Sequence, residues 1–569
     1  MDVRGGSARH IALARAATYD RGMRWMLAAL AICACGSNHG STTGDDDGAS
    51  DGGVPTDAPV TPPGTTCGAP VQAVDTSHPD HVVGTGTAAS CTEAALDAAL
   101  GSGGIITFAC GASPATIAVT QTIELRTDVD TTIDGGSNVT IDGGDAVRIL
   151  DFDHDNYRVN TITLTLQNLT LAHAHAHGTM MYAPAPSPCS QGYYDGFGGA
   201  LQLRDGKLVV IDCDFESDQA ESLGPDVGGG AISLLGSLGA VVANSTFHAN
   251  KASNGGAIYS LNSQLDVYDS VFDSNVAEGN GANSNDMSMC SVLAMTNQYQ
   301  VGSGGNAGAI GMDGGDDTTH TFCGVKFTNN QGGVNALGGA IARTPDNAMQ
   351  TTVLDRCTFD SNHADSAGAG YFHNSALNVT ASTFSNNVAV HGSGALQADG
   401  TTLNFLNDTF AANNAMAGLG GAFSLFGNGG MIEFTTFANN MANGGDPYFG
   451  AAIGGNPTLT LVSDLFDNNT AQNPGAPMQC QVTGTGDGDF QWPMDHVVGG
   501  GSDSKCTPTT TFADPMLGTL GSNGGASETI LPAAGSPAIG AGVMCPPTDQ
   551  RGMTRPSTMC TSGSVEGSQ

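Results

Sequence analysis

Apolar and polar positions along this chain do not follow a helical period. They recur as two short signatures repeated over most of the length. One is a small-residue pair running into an apolar residue: Gly199-Ala200-Leu201, Gly230-Ala231-Ile232, Gly256-Ala257-Ile258, Gly308-Ala309-Ile310, Gly339-Ala340-Ile341, Gly394-Ala395-Leu396, Gly421-Ala422-Phe423 and Ala451-Ala452-Ile453. The other is a phenylalanine followed three positions on by an asparagine. It occurs as Phe247 with Asn250, Phe272 with Asn275, Phe327 with Asn330, Phe359 with Asn362, Phe384 with Asn387, Phe410 with Asn413, Phe437 with Asn440 and Phe466 with Asn469. Phe215 with Asp218 is a degenerate copy. Alternating stretches such as Leu265-Asp266-Val267-Tyr268 lie between the signatures and read as short strands. Successive phenylalanines are mostly 25 to 32 residues apart, a period that marks a solenoid.

The pattern predicts an all-β chain: a right-handed parallel β-helix of ~25-residue coils with a small C-terminal cap region. One such coil cannot bury its own apolar face, so its neighbours must cover it. Equivalent strands then stack ~4.8 Å apart, and the phenylalanines stack inside a narrow lumen. The asparagine is expected at a tight corner, in a left-handed backbone, bonding to its copies along the axis. The Gly-Ala pair gives room for a sharp bend. Phe272 and Phe327 are 55 apart, so residues 278–306 read as an insertion. Insertions in solenoids emerge as loops on one face, which makes this one the leading candidate for a partner contact.

The ends of the chain differ from its body. Arg21 and Arg24 precede the apolar run Trp25–Ala34, which is too short to span a membrane and ends at Cys35. Residues 1–34 therefore read as an export signal, with Met23 as an alternative start. The run resembles a bacterial lipoprotein signal, which implies cleavage before Cys35 and lipid on its sulfur. Residues 35–66 are Asp/Gly/Thr/Pro-rich and read as a flexible tether. Residues 67–130 are assigned to an N-terminal cap and first coils, 131–475 to the repeats, and 476–569 to a C-terminal region.

Composition sharpens this reading. The 569 residues include 82 glycines, and only 12% are charged, against a usual ~25%. Net charge is −37. Five of the 17 Lys and Arg residues lie before position 25, leaving 12 for the exported part. Fifty-two of the 54 Asp and Glu residues lie after Cys35. Such a chain is repelled by phosphate backbones, so nucleic acid is excluded as a partner. The expected partners are the membrane, through the lipid, and a surface glycan or protein. The implied location is the outer membrane or cell surface of a Gram-negative-type bacterium, with an extracellular alternative.

Three resemblances follow from specific motifs. The paired Gly-Gly-Ala-Ile and Phe-x-x-Asn signatures are similar to the repeats of chlamydial polymorphic outer-membrane proteins. Thr132-Ile133-Asp134-Gly135-Gly136 and Thr140-Ile141-Asp142-Gly143-Gly144 resemble the first coils of pectin-lyase-like β-helices. Asp514-Pro515-Met516-Leu517-Gly518, Gly535-Ser536-Pro537-Ala538-Ile539-Gly540 and Asp549-Gln550-Arg551-Gly552 with Arg555-Pro556 resemble the choice-of-anchor Q domain proteins. Chlamydial relatives end in a membrane β-barrel, and no run of amphipathic barrel strands is found here. Many anchor-Q relatives end in a sorting tail, whose role lipid at Cys35 is expected to take.

Beyond Cys33 and Cys35 there are 12 cysteines, an even number that favours disulfides in an exported chain. Neighbours in sequence suggest Cys91 with Cys110, Cys189 with Cys213, Cys290 with Cys323, Cys480 with Cys506, and Cys545 with Cys560. Cys67 and Cys357 are left over. No C-x-x-C pair occurs, which argues against zinc ribbons and thioredoxin-like chemistry.

The resemblance to pectin-lyase-like folds implies an enzyme as the alternative to a binding protein. A lyase of that kind needs a calcium-binding Asp cluster beside an Arg or Lys base. Lys251, Lys326, Arg343 and Arg356 lie in separate coils. Asp313, Asp316 and Asp317 sit in a glycine-rich turn, and His391-Gly392 only partly matches a hydrolase turn. His173, His175 and His177 would share one face of a strand and could bind metal there. Asp151, Asp153 and Asp155 open like a calcium loop, but Ile162 stands where the twelfth-position Glu belongs. The expectation is therefore a non-catalytic, adhesin-like binding or scaffold protein with no catalytic residue, no metal and no cofactor. Calcium would enter only through an Asp cluster the pattern does not supply.

Overall fold

The computed structural model describes residues 67–182, 192–281, 304–315, 319–345, 350–444, 450–455, 457–471, 479–493 and 503–567. One coil shows the plan of all. The Gly256-Ala257 bend leads into strand Ile258–Leu261, then Leu265–Tyr268, then Val271–Asp273, and past Asn275 into the short Val276–Ala277. Each strand pairs in parallel with its copy in the coil before or after. Among the described residues this builds a first face of 14 strands around Leu265–Tyr268 and a second of 14 around Val271–Asp273. A third face of 11 strands forms around Ile258–Leu261. The molecule is an all-β parallel β-helix.

The lumen is filled by repetition. Nine phenylalanines, Phe215, Phe247, Phe272, Phe327, Phe359, Phe384, Phe410, Phe437 and Phe466, stack with neighbouring ring centroids 4.6 to 5.2 Å apart. That interval is set by in-register parallel strands, whose spacing is ~4.8 Å. The step from Phe272 to Phe327 keeps it, at 5.2 Å, so the inserted residues leave the register intact.

The asparagines need one correction. The left-handed residue at the corner is not the ladder asparagine but the residue before it: Ala249, Ser274, Asn329, Ser361, Asn386, Ala412, Asn439 and Asn468 have φ between 50° and 58°. This turn aims the following asparagine inward, where it is fully buried. Asn387 is representative. Its amide donates to Phe359 O and to Asn413 Oδ1, each at 2.9 Å, and its Oδ1 accepts from the Asn362 backbone and side-chain amides. The column runs from Asn250 to Asn469 and ends on Gln479. At its head, Asp218 donates its backbone N–H to Asn250 Oδ1.

The glycine of the Gly-Ala bend is dictated by crowding. A Cβ at Gly394 would run into the carbonyl oxygen of Gly421 in the next coil. At the N-terminal end, helix Glu93–Leu100 covers the first coil with Leu96, Ala99 and Leu100. It is capped by Thr92, which accepts from Ala95 N–H. Covering a terminal coil in this way shields an open strand edge.

Two segments bind the flank where the first and second faces meet. The first begins at Cys67, bonded to Cys323, and its N–H donates to Asp269. It passes Gln167, which exchanges two hydrogen bonds with Val74, and Thr76 donates to Asp134. It thus runs backward across several coils before entering the first. The C-terminal segment serves the other half. Gln550 donates to Ser382 O, Thr383 Oγ1 and Ser527 Oγ and accepts from Thr409 Oγ1. Arg555 donates to Asn407 Oδ1, Thr561 O and Gly563 O and lies over the Phe434 ring. Asp549 holds Arg551. The Asp-Gln-Arg-Gly motif is therefore a structural clamp along the last coils.

Candidate functional site

The third face carries the site, and two neighbouring strands supply its floor. Leu201 and Leu203 of strand Leu201–Arg204 point into the core, which turns Gln202 and Arg204 outward. Register places Asp151, Gln202 and Ser233 in one column and Asp153, Arg204 and Leu235 in the next. A loop stands over this floor. Tyr182 N–H donates to Gly192 O, and Tyr194 N–H to Met180 O. Asp195 accepts from Thr179 N–H, Thr179 Oγ1 and Met180 N–H at 2.6 to 2.9 Å. Burial opposes the charge of Asp195, but these bonds outweigh it and hold its pKa below the usual carboxylate value. Arg148 fastens the loop's base, donating to Phe197 O, Gly198 O and Asp151 Oδ2.

Floor and loop enclose a lateral pocket of about 360 Å³, at the small end of the ligand-site range of ~300–1,000 Å³. Its wall includes Tyr194 and Met180, 43% and 47% exposed, and His177. Tyr194 packs edge-on against Tyr182 with centroids 5.2 Å apart. The charged groups are already engaged: Arg148 as above, Arg204 with Asp155 at 3.1 Å and Asp153 at 3.7 Å, and Asp195 by the loop. Among the described residues, no hydrogen bond engages the Gln202 amide or the Ser233 hydroxyl, and both line the pocket. Beside the floor, burial pushes Asp151 up to about 6. Glu124 and Asp153 add to the shift, and Arg148 opposes it.

Of the residues singled out from the sequence, Asp153 and His177 line this pocket and Asp151 adjoins it; the others do not converge on it. Arg343 lies inside the lumen, fully buried, with its guanidinium on Gln350. Arg356 pairs with Asp355. Asp313 accepts from Gly314 N–H and from the Tyr259 hydroxyl, while Asp316 and Asp317 lie outside the described residues. His391 pairs with Asp365 on the surface. The three histidines form no group with metal-ligand spacing among the described residues: His173 turns left-handed, with φ 50°, to bond Asp142, and His175 and His177 stack with centroids 3.9 Å apart. Asp151, Asp153 and Asp155 are tied to arginines rather than gathered around a cation site. Among the described residues, the one group with metal-ligand spacing is Cys67, Cys323 and Asp355, and its two sulfurs are bonded to each other.

Two proposed disulfides are overturned. Cys323 bonds Cys67, not Cys290, because the backward-running segment brings Cys67 onto its coil. Cys213 is free, not bonded to Cys189, because it faces the sealed lumen corner and its Sγ donates to Ile211 O. Cys357 is free at the equivalent corner. Burial pushes both thiols up to about 12. Cys91–Cys110, Cys480–Cys506 and Cys545–Cys560 are closed. Cys35, Cys189, Cys290 and most of the 278–306 insertion lie outside the described residues.

Sequence reasoning missed Arg148, Tyr194, Gln202, Arg204 and Ser233. The one available signal was the alternation of Gln202 and Arg204 with Leu201 and Leu203, and of Ser233 with Ile232 and Leu234, on two adjacent strands; Arg148 and Tyr194 lie outside the strands.

Fold and pocket together define a parallel β-helix with a lateral pocket. No protein-family profile and no curated protein matches the chain. Two solved structures of PfbA, a surface adhesin of Streptococcus pneumoniae, are similar in fold. One is 12% identical with a TM-score of 0.37, over 71% of this chain and 90% of that one. The other is 11% identical with a TM-score of 0.32, over 69% and 95%.

Proposed function

We propose that this chain is an exported, non-catalytic β-helix that binds or scaffolds at the cell surface in the manner of an adhesin. On this reading lipid at Cys35 holds it to an outer-membrane-type envelope, and its C-terminal motif aligns it with the choice-of-anchor Q group. Its partner is a surface glycan or protein. The lateral pocket carries the reading. Its arginines and Asp195 are occupied by each other and by backbone groups, whereas catalysis needs a charged group free to move a proton or to stabilise developing charge. Two experiments test it. Radiolabelled palmitate is expected to enter the wild type and to be absent from Cys35→Ser; label retained in that variant removes the anchor. The purified protein is expected to bind a subset of a glycan and protein array without altering it, and an array with no bound spots removes the binding function.

One observation favours a second reading, a carbohydrate-active enzyme. A carboxyl raised to about 6 can serve as a general acid, and Asp151 lies beside the pocket floor. The assay is release of reducing ends or unsaturated product from neutral and acidic polysaccharides, with calcium, across about pH 5–9. No turnover is expected. Turnover lost in Asp151→Asn would establish the enzyme.

A further inference from the structure

We infer that the lateral pocket receives one ring of a neutral hexopyranoside, and this rests on the binding reading above. Four observations converge. The volume of about 360 Å³ suits one sugar ring and is too small for a folded protein surface. Both lining arginines are neutralised, Arg148 by Asp151 and Arg204 by Asp155 and Asp153, and Asp195 is held by backbone and hydroxyl donors of the loop. A uronate or sulfated sugar therefore meets no free cation. The two unengaged floor groups, the Gln202 amide and the Ser233 hydroxyl, each both donate and accept. That dual character matches a hydroxyl, which also does both; a carboxylate only accepts and an ammonium only donates. Register sets the two groups on adjacent strands, ~4.8 Å apart, which suits neighbouring hydroxyls of one ring. Finally, Tyr194 offers an exposed ring held edge-on by Tyr182, a flat apolar surface for the C–H face of a pyranose.

The geometry assigns the roles directly. Gln202 and Ser233 bind hydroxyls, Tyr194 stacks on the ring, and Arg148 with Asp195 positions the loop that carries Tyr194. The test is saturation-transfer NMR on the full-length exported protein. The probes are methyl glucoside, methyl galactoside, methyl mannoside and N-acetylglucosamine, with galacturonate as the anionic comparison. At least one neutral sugar is expected to receive saturation on the protons of one ring face. Tyr194→Ala should abolish it, and Gln202→Ala should weaken binding about tenfold. Thermal melts of both variants, whose side chains are outside the core, should match the wild type. Three results overturn the inference: no saturation transfer to any neutral sugar, stronger binding of galacturonate than of every neutral sugar, or binding unchanged in both variants. If array binding persists in Tyr194→Ala and Gln202→Ala, the surface-binding reading survives and the pocket assignment alone fails.

Discussion

At the scale of single residues, the asparagine column shows how one polar side chain can be built into an apolar lumen. Asn387 makes four hydrogen bonds, two donated by its amide and two accepted by its Oδ1. Asn387→Ala would orphan buried partners on both sides, each at about 1–3 kcal/mol. Phe384→Ala would open a cavity in the ring stack at about 3–5 kcal/mol. Denaturant unfolding should therefore place the two variants within about 2 kcal/mol of each other; a near-silent Asn387→Ala would show that the column contributes little. Asp218 heads the column as a carboxyl, and burial pushes its pKa well above the usual value. Its folded pKa exceeds its unfolded one, so its contribution is full below about pH 4 and falls as pH rises towards the folded value, by at most about 1.4 kcal/mol per unit. Asp218→Asn removes that slope. The variant should melt above wild type at pH 8 and the gap should shrink at pH 5. A constant gap would mean that Asp218 does not titrate with folding.

At the scale of the element, the coil is set by its closest approach. Gly394 sits where the bend of one coil meets the next, and an added Cβ meets the Gly421 carbonyl. Since the strand pairing fixes the spacing, the backbone cannot retreat without breaking its ladder. Gly394→Ala should cost about 3 kcal/mol or more. Gly521, with open space where its Cβ would lie, is the control, and Gly521→Ala should leave the melting temperature nearly unchanged. Equal effects in the two variants would refute the crowding argument. The same rigidity keeps the Phe272–Phe327 step in register across the insertion.

At the scale of the whole molecule, the flank is closed from both ends of the chain. The Cys67–Cys323 bond spans 256 residues, and chain entropy for a loop that long amounts to about 5.5 kcal/mol in the simplest treatment. Because Cys67 follows the 35–66 stretch directly, any pull from that side reaches the middle of the solenoid at Cys323 and bypasses the first coils. Cys67→Ser should lower the melting temperature and open residues 68–80 to limited proteolysis, while peptides from the later coils stay protected. Unchanged cleavage within 68–80 would show that hydrogen bonds to Gln167 and Asp134 hold the segment unaided.

How much was legible depended on periodicity. The Phe-x-x-Asn and Gly-Ala signatures determined the all-β solenoid and its inward phenylalanines, because a lumen repeated every coil demands the same side chain at the same place. They also marked the asparagines as ladder residues, although which corner residue turns left-handed follows from backbone geometry that the spacing does not encode. The lateral pocket was not legible. Gln202, Arg204 and Ser233 follow the Gly-Ala signature at positions the repeat leaves variable, Arg148, Asp151 and Tyr194 lie outside the signatures, and only strand register and the overhanging loop bring them together. The cysteines divide in the same way. Cys91 and Cys110, 19 apart, are near in sequence and in space. Cys67 meets Cys323 because the first segment runs backward along the flank, a tertiary path that no local spacing determines.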